Sequence, residues 1–554
     1  MYVDISESKQ NGKTYKRILL RESYREDGKV KHRTIANLTG CSEEEVEAIK
    51  FALKNKKNLS NMKAIEGKLE TEQGPCVGAV MVLKAISDRI GITTALGNSR
   101  MGKLALWQVM ARVIDQGSRL SAVRLCERHA GEDILKIDEF DEDDLYENLD
   151  WLSTNQSSIE NALFDFRYKG KDKPKLYLYD VTSSYLEGVK NEFGEWGYNR
   201  DKKRGKLQIV IGLMVDGDGN PVAVEVFKGN TNDLKTVSNQ IHKLAVRFGV
   251  KEVTLVGDRG IIKSLQVDEL RENGFHYITG ITRPQIESLI KSDVIQASMF
   301  DEKICEVTND NIRYMLRKNP VRVIEIRKGR QEKITKISRF IESQNLYIDN
   351  HKRADIAKQK SKIDNWIKRL RLSNILTCDT VDGKYTLVIN EEEMNNLSLL
   401  DGCYVIKTDL NPDAGSSDTI HSRYKDLACV ERGFRTMKTG LLEARPIFVR
   451  KESRTRGHVF VVMLAYMIVH ELEKHWSNID VTVEEGIKEL STIDSITIKA
   501  GEKLCHQIPR PRGLGQRLLQ SAGVSLPEGI PYQKSKVATK TKLVDRRKPI
   551  KTNK

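Results

Sequence analysis

The sequence predicts an α/β protein, with a mixed sheet and flanking helices joined to smaller modules. Two observations carry this prediction. Over 76–166, apolar residues recur at helical spacing, and from Lys175 onward the period becomes that of strands. The order in this second stretch is β-β-β-α-β-α-β, ending with the strand "FHYITGI". Such an order describes an antiparallel meander that passes into parallel strands through helical crossovers.

The chain is long and basic. Its 554 residues exceed one ordinary core, and its formal net charge is +15. Because the cations are spread along the whole chain, an extended nucleic-acid surface is favoured over a single localisation signal, and a merely soluble basic protein is the alternative. The eight cysteines contain no C-x-x-C pair, which indicates neither a zinc site nor a disulfide scaffold. No stretch resembles a signal peptide or a membrane span, so we expect a cytoplasmic protein without a membrane partner.

The first region, 1–70, is predicted to be a basic ββα unit. Residues 13–40 contain two strand-like runs around the turn Glu26-Asp27-Gly28, followed by a helix. Ser42 is placed to cap that helix, and Glu45 to complete a capping box. Such a unit could lie against DNA, and a solvated two-stranded lid is the alternative. A helical module, a second candidate for DNA binding, is predicted over 75–168.

The first part of the core, 174–284, carries two acids after strand-like runs. Asp180 follows "LYLY", and Asp258 lies in "LVGDRG". We expect both at strand ends, where ligand sites gather in α/β sheets. A single such Asp is more often a turn or cap residue, but two nearby carboxylates call for a compensating cation. Two Mg²⁺ ions roughly 4 Å apart can activate a nucleophile and stabilise the leaving oxygen of a phosphodiester.

A third acid lies in the stretch 422–442, which predicts one amphipathic helix. Glu431 adjoins the apolar stripe, and Tyr424 and Lys438, each seven residues away, lie nearly on its face. A solvated glutamate is the alternative. The metal-ligand interpretation is favoured by neighbouring cations, since a phosphate-bearing substrate must be held near the acids. These cations are Arg432, Arg435 and Lys438.

The remaining regions are divided by changes in composition and in the spacing of apolar residues. Residues 285–410, too long for a loop, predict an inserted domain of charged helices and strands. Its one tryptophan, Trp366, is expected in the core, because a tryptophan on an amphipathic helix is more often a core residue; stacking on DNA is the alternative. The second core part, 411–480, continues after the Glu431 helix into an apolar helix led by arginines. A helical region at 481–532 is a candidate for dimerisation, and the basic tail at 533–554 is expected to be disordered.

The acids Asp180, Asp258 and Glu431, with Tyr424 and Lys438 at Y-x6-E-x6-K spacing, resemble a known family. They are similar to the DDE transposases of bacterial insertion sequences, in the branch with the YREK signature. Phrases that agree with that branch include "YDVTSSYLEG", "FKGNTND", "LVGDRGI" and "RYKDLACVERGFRTMK". The resemblance implies an RNase H-like core in which the three acids hold two Mg²⁺ ions, with Mn²⁺ as a substitute.

The resemblance also implies an activity and its partners. Such enzymes bind the terminal inverted repeats of their element, cut the double-stranded DNA and join the freed 3′-hydroxyls to target DNA. A homodimer in a synaptic complex and a nucleoid-associated cytoplasmic location are expected. The implied DNA-binding residues are Tyr424, Lys438, Arg432, Arg435, Arg454 and Arg456. The signature's Arg falls on Leu427 here, so that contact is not carried over.

Two other functions remain as alternatives to the active transposase. A catalytically silent DNA-binding regulator derived from a transposase would be indicated by loss of a carboxylate, and all three are present. A nonspecific nuclease of the same fold would cut DNA without terminal repeats. The sequence favours the transposase.

Overall fold

A computed structural model describes residues 1–10, 13–54, 56, 70–198, 200–201, 203–259, 261–351, 354–500 and 503–529. The predicted disordered tail, 533–554, lies outside the described residues. The strands in chain order are β1 (Tyr2–Gln10), β2 (Lys13–Glu26), β3 (Lys29–Asn37), β4 (Glu70–Cys76), β5 (Leu176–Tyr185), β6 (Gln208–Asp216), β7 (Pro221–Lys228), β8 (Thr254–Gly257), β9 (His276–Gly280), β10 (Cys305–Asn309), β11 (Ile312–Lys318), β12 (Leu376–Val381), β13 (Lys384–Ile389), β14 (Cys403–Thr408), β15 (Asp494–Ala500) and β16 (Lys503–Gln507).

Helices outnumber strands in the described chain. In order they are α1 (Glu43–Lys54), α2 (Gly78–Arg89), α3 (Ile92–Leu96), α4 (Arg100–Ile114), α5 (Arg119–Arg128), α6 (Gly131–Leu135), α7 (Glu142–Tyr168), α8 (Asp233–His242), α9 (Ser264–Glu272), α10 (Arg283–Lys291), α11 (Pro320–Asn350), α12 (Ile356–Arg369), α13 (Glu391–Leu399), α14 (Ser417–Lys425), α15 (Leu427–Lys438), α16 (Glu452–His475), α17 (Val483–Leu490) and α18 (Gly513–Ser521). Within the described ranges, no helix combines the length and apolar composition needed to cross a membrane.

The main sheet is mixed and has eight strands in the order β10-β11-β14-β9-β8-β5-β6-β7. β5, β6 and β7 form an antiparallel meander, while β5, β8 and β9 run parallel to one another. The predicted fold class and strand order are therefore confirmed. The parallel strands are connected through helices, α8 before β8 and α9 before β9, because a parallel pair needs a crossover of a dozen or more residues.

The N-terminal unit contains one strand more than predicted. β2, β3 and α1 are the predicted hairpin and helix, and the capping box is present: the Ser42 amide donates to Glu45 Oε2 at 2.7 Å, and the Glu45 amide to Ser42 Oγ at 3.2 Å. β1 pairs with β2 along its whole length. The first ten residues carry no local strand signal because charged and polar side chains occupy most of them.

The predicted helical module is confirmed, and it shares a core with the sheet. α2 to α7 pack around the apolar helix α16, and their buried side chains form one cluster with those of β5 and β6. The other face of the sheet is covered by α8 and α9, which bury a second cluster containing Tyr177, Tyr179 and Val181 of β5. The main sheet is thus a middle layer between two helical layers.

The inserted segment 285–410 has two structural parts. Its strands β10 and β11, together with β14, extend the main sheet beyond β9. Its long charged helices α11 and α12 pack with the β12–β13 hairpin around a separate small core. Trp366 is 39% exposed there, contrary to the expected core position, with its ring 4.4 Å from that of Phe340.

The C-terminal region 481–532 is not purely helical, which corrects the prediction. β15 and β16 form a three-stranded sheet with β4, which precedes the helical module. This sheet pairs residues more than four hundred positions apart, as in Asp494 opposite Cys76. Such a partner is not accessible to a local sequence pattern.

Candidate active site

Asp180 lies in the middle of β5 and not at its end, which corrects one prediction. β5 continues to Tyr185 because its antiparallel pairing with β6 extends that far. Only the parallel neighbour β8 stops early: its last residue, Gly257, pairs with Tyr179. The residue after Tyr179 is Asp180, within β5, and the residue after Gly257 is Asp258, just beyond the end of β8. The two acids adjoin at the point where β8 ends, and the expected strand-end position of Asp258 is confirmed.

Strand alternation turns Asp180 toward the helix that carries Glu431. Tyr179 and Val181 face the core beneath α8 and α9, so Asp180 faces the opposite side together with Leu178. α15 covers that side. An added Cβ on Gly433 would lie 3.1 Å from Leu213, the residue paired with Asp180 on β6, so the helix backbone runs close to the sheet.

The predicted single helix over 422–442 is two helices, α14 and α15, separated at Asp426. The Cys429 amide donates to the Asp426 carbonyl, an i to i+3 bond that interrupts the α-helical pattern. Tyr424 therefore belongs to α14, and α15 ends at Lys438 before Gly440, whose φ is +65°. The apolar spacing continues across Asp426, which explains why the sequence pattern predicts one helix.

The three predicted acids meet in one cleft of about 290 Å³, lined by Asp180, Val181, Thr182, Arg200, Asp258, Ile261, Glu431 and Phe434. Asp180 is partly buried, while Asp258 and Glu431 are exposed. The acids come from β5, from the residue after β8 and from α15. The described cleft thus brings together two strands and a helix from parts of the chain that the inserted segment separates.

Asp180 has a strongly shifted affinity for protons. Burial raises its pKa to about 7, and the nearby carboxylates of Asp258 and Glu431 raise it as well. The Val181 amide and the Arg200 guanidinium act in the opposite direction. A carboxyl that is disfavoured as an anion by burial and by like charges is stabilised by an added cation.

Asp258 is held from two directions. Tyr424 Oη donates to Asp258 Oδ1 at 3.1 Å, and the Arg259 amide donates to the same oxygen at 2.7 Å. Burial and the Asp258 carboxylate raise the pKa of Tyr424. Gly280 makes room for this contact, since a Cβ there would lie 2.6 Å from Tyr424 Oη. Tyr424 was predicted to contact DNA, and in this structure it orients a candidate metal ligand.

Lys438 is buried beneath the cleft. Its ammonium donates to Ser183 O at 2.6 Å and to Thr182 Oγ1 at 3.0 Å, and it lies 2.6 Å from Asp201 Oδ1. Arg445 also bonds Asp201. Only 10% of the Lys438 side chain and 2% of the Asp201 side chain are exposed. Lys438 therefore fastens the loop containing Asp201 to β5, and its predicted DNA contact stays a prediction.

The predicted DNA-binding arginines fall into two groups. Arg432 and Arg435 are exposed on α15, the helix that carries Glu431. Arg454 instead bonds Asp150 at 3.0 Å, and Arg456 bonds Glu225 at 3.2 Å and Glu452 at 3.0 Å. The pairs with Asp150 and Glu225 tie α16 to α7 and β7. The side chain of Leu427, at the position of the signature's Arg, packs against the main core.

The donor chemistry of the cleft fits a hard divalent cation. Carboxylate oxygens are the ligands that Mg²⁺ prefers, and water molecules complete its coordination. Among the residues that the structure describes, no three His, Cys, Asp or Glu side chains are close enough together to form a finished metal cluster. Asp180, Asp258 and Glu431 are the residues that would hold the ion.

Comparison with known proteins gives two family matches and a similar solved structure. Residues 171–468 match the family model described as the transposase DDE domain, and residues 3–65 match the N-terminal domain of IS1634 family transposases. No curated protein sequence matches the chain. One similar solved structure is a piggyBac transposase synaptic complex with hairpin DNA, at 9% identity and a TM-score of 0.35, covering 70% of this chain and 69% of that chain.

A family model that spans more than half of the chain defines a class, the transposases with a DDE domain, which are phosphoryl-transfer enzymes. The N-terminal residues 3–65 are, in addition, similar to the N-terminal domain of IS1634 family transposases.

Arg200 is the cleft residue that the sequence did not single out. It lies in the β5–β6 connection, between Tyr198 and the buried Asp201. Its amide donates to Ser183 Oγ at 2.8 Å, which ties the loop to β5. The sequence contains a signal here, because the phrase "GYNRDKKRGKLQIVIGL" also agrees with the YREK branch, but no residue within it is assigned a role.

Proposed function

We propose that this transposase binds the terminal inverted repeats of its insertion sequence and catalyses Mg²⁺-dependent DNA cleavage and strand transfer. The chief support is that Asp180, Asp258 and Glu431, from separate segments, line one cleft. We further propose that it belongs to the YREK branch, with Leu427 in place of the signature's Arg. Its partners are transposon ends and target DNA, and it acts as a homodimer in a synaptic complex at the bacterial nucleoid.

The metal chemistry follows from the acids. Two bound Mg²⁺ ions, or Mn²⁺ in their place, would lower the pKa of an attacking water and stabilise the leaving oxygen. Asp180, Asp258 and Glu431 provide the negative charge that holds such ions beside a phosphate. Tyr424 and the Arg259 amide fix the orientation of Asp258. Asp180 is partly buried, so part of the cleft floor is shielded from bulk water. Charges interact more strongly in such a shielded place than they do in water.

The bond changes require no external energy source. In the first step, a water oxygen attacks phosphorus in line, and the bond to the 3′-oxygen breaks to leave a free 3′-hydroxyl. In the second step, that hydroxyl attacks a target phosphodiester, so that one phosphorus–oxygen bond forms as another breaks. Arg200 faces the same cleft as the three acids, where a cation can hold the non-bridging phosphate oxygens.

The surfaces proposed for DNA extend from this cleft. Arg432 and Arg435 are exposed on the helix that carries Glu431, where their guanidinium groups are suited to contacts with DNA phosphates. The basic N-terminal unit is proposed to recognise the terminal repeats, and the helical module at 75–168 to contribute further DNA contacts. The net charge of +15 supports a polyanionic partner.

The test compares cleavage of one labelled duplex by matched proteins. The duplex carries the element's own flanking repeats, Mg²⁺ is present, and the proteins are the wild type, Glu431→Gln and the control variant Glu484→Gln. Glu484 lies on α17, outside the cleft. Binding of each protein to the duplex is measured separately by mobility shift.

End-specific cutting that is lost in Glu431→Gln and kept in Glu484→Gln, with equal binding, would support the enzyme and its third ligand together. Binding of the repeats without cutting by any of the proteins would instead indicate a DNA-binding regulator. Cutting that does not depend on the repeats would indicate a nonspecific nuclease.

A further inference from the structure

Two exposed aromatic side chains stand in the connection between β5 and β6. This connection contains the sequence "NEFGEWGYNRDKKRGK", residues 191–206. Trp196 is 63% exposed and Tyr198 is 84% exposed. A single exposed aromatic residue needs no explanation. Two exposed aromatic residues that are two positions apart, and that are followed by the cleft residue Arg200, do need an explanation.

The backbone beneath these aromatic side chains is fixed to the sheet. Glu195 and Gln208 exchange amide–carbonyl hydrogen bonds of 3.2 and 3.1 Å, and the Gly229 amide donates to the Phe193 carbonyl at 3.0 Å. Gly197 approaches so closely that an added Cβ would lie 2.2 Å from the Gly229 carbonyl oxygen. A Cβ on Gly197 would point at the sheet, whereas the side chains of Trp196 and Tyr198 on either side of it are exposed to solvent.

The nearby Arg200 and Asp201 are fixed beside the catalytic acids. The Arg200 amide is bonded to Ser183 of β5, and Asp201 is held by Lys438 and Arg445. Arg200 consequently lines the cleft. The Cα atoms of Tyr198 and Arg200 are at most about 7 Å apart, because each residue adds no more than about 3.6 Å. That is about two nucleotides along one strand of DNA, which rises about 3.4 Å per nucleotide.

The charges around the aromatic side chains match a nucleic-acid strand. Lys203 and Arg204 are exposed in the same connection, and the Lys203 ammonium lies 5.8 Å from the centre of the Tyr185 ring. Proteins bind single-stranded nucleic acid with this combination, in which cations follow the backbone and bases stack on aromatic rings. In an intact duplex the base faces are covered by neighbouring bases, so only unpaired nucleotides offer them.

We propose that residues 193–198, named here the aromatic segment, bind unpaired nucleotides of the DNA substrate beside the cleaved phosphodiester. Arg200 contacts the phosphate in the cleft, and Trp196 and Tyr198 stack on bases that have left the duplex. This inference rests on the proposed function, since it assumes that DNA enters the cleft. The backbone of the aromatic segment is bonded to the sheet, so its rings are in place before the DNA arrives.

The experiment measures the affinity of the full-length protein for two labelled DNA probes by fluorescence anisotropy, with EDTA present so that no cutting occurs. One probe is a blunt duplex, and the other is the same duplex with a single-stranded extension. We expect the wild type to bind the extended probe more tightly. The double variant Trp196→Ala/Tyr198→Ala removes two stacking rings, so it should bind the extended probe at least about thirtyfold more weakly and the blunt probe unchanged.

Two control variants separate stacking from other effects. Trp196→Phe/Tyr198→Phe keeps aromatic faces and should retain most of the preference for the extended probe. Trp366→Ala removes another exposed tryptophan, on α12, and should change neither affinity. Since Trp196 and Tyr198 are exposed, the double alanine variant should have the thermal stability of the wild type, which is checked by melting.

An unchanged preference in the double alanine variant, or equal losses on both probes, would overturn the inference. These outcomes are independent of catalysis. A wild type that cuts repeat ends while the alanine variant keeps its preference would refute the aromatic segment and leave the proposed function intact. If the wild type cuts no DNA, but the alanine variant loses the preference for the extended probe, the aromatic segment would be supported and the proposed function refuted.

Discussion

At the scale of single residues, the buried Lys438 ammonium holds the loop beside the cleft against β5. It bonds Asp201, Thr182 and Ser183, while Tyr424 and Arg259 hold Asp258. The residues around the acids are therefore largely engaged with one another. This arrangement holds the loop with Arg200 and the ligand Asp258 in fixed positions, as pre-organised sites require.

Replacing Lys438 by Met should destabilise the fold. Asp201 would keep Arg445 but lose its buried ammonium partner, and we expect a loss of about 2 kcal/mol, below the usual cost of leaving a buried charge entirely alone. The shift in the urea midpoint measures it. Lys425→Met, at an exposed position of α14, should have almost no effect. Unchanged stability with a weaker salt dependence of DNA binding would instead indicate a phosphate contact by Lys438.

The shifted pKa of Glu132 should make the free energy of unfolding depend on pH. Burial raises its pKa to about 7 from an ordinary 4.5, as do Asp133 and other nearby acids. Because the folded-state pKa is raised, the stabilising contribution is complete below about pH 4.5 and is lost as the pH rises through about 7. The variant Glu132→Gln, which cannot ionise, should be more stable than the wild type above that range. After allowance for screening by water, we expect a gain of about 1–2 kcal/mol.

Urea unfolding of both proteins near pH 8 and near pH 4.5 checks this difference, which should vanish at the lower pH. Glu147→Gln, at an exposed position of α7, is the matched control. A gain in stability that is equal at both values would contradict the ionisation of Glu132 as its cause.

At the scale of elements, the close packing of α16 against α7 joins the helical module to the sheet. Gly457 allows this approach, since an added Cβ would lie 2.2 Å from the Leu149 carbonyl oxygen and 2.9 Å from its Cα. Both atoms belong to the backbone of α7 and cannot move without moving that helix. α16 therefore has a fixed distance from α7 at this crossing.

Gly457→Ala should cost about 2 kcal/mol or more, because the two helices must separate to admit a methyl group. Gly329→Ala is the control: that glycine lies inside α11 with no atom within 4 Å of the added Cβ. There, alanine should raise stability by about 0.5–1 kcal/mol through its better helix propensity. Similar urea midpoints for the two variants would show that the crossing is not as tight as described.

Sequence patterns predicted the elements that local signals define. The meander, the parallel strands and the capping box of Ser42 and Glu45 each follow from a short window, and each is confirmed. The failures have a common cause in tertiary structure. Asp180 is inside β5 because β6 is longer than β8, and α14 ends at Lys425 although the apolar spacing continues. Arg200 reaches the cleft because Ser183 holds its amide and because the distant residues Lys438 and Arg445 hold Asp201.

At the scale of the whole molecule, the described part of the N-terminal unit has a sheet and a small core of its own. β1, β2 and β3 form their own sheet, and Ile18, Leu38 and Val46 form a small core with α1. The match to the IS1634 N-terminal domain covers the same region, residues 3–65. We therefore assign end recognition and catalysis, as proposed above, to different parts of the chain.

A protein that lacks residues 1–69 should keep its fold and lose its discrimination between repeat and unrelated DNA. Its main core contains none of the deleted side chains that the structure describes, so the melting temperature of that core should not change. The affinity for unrelated duplex should remain, since cations of the core still contact phosphates. Discrimination is measured as the ratio of the two affinities at one salt concentration, and a retained ratio would assign end recognition to another region.

The inserted segment has a consequence for protein synthesis. Asp180 and Asp258 leave the ribosome well before Glu431, on the order of ten seconds earlier at ordinary rates of translation. During that interval the N-terminal unit is already complete, and the nascent chain lacks one of the three acids. A chain that is terminated in the interval would contain the unit assigned to DNA ends without a finished cleft, and would compete with the full-length enzyme for those ends.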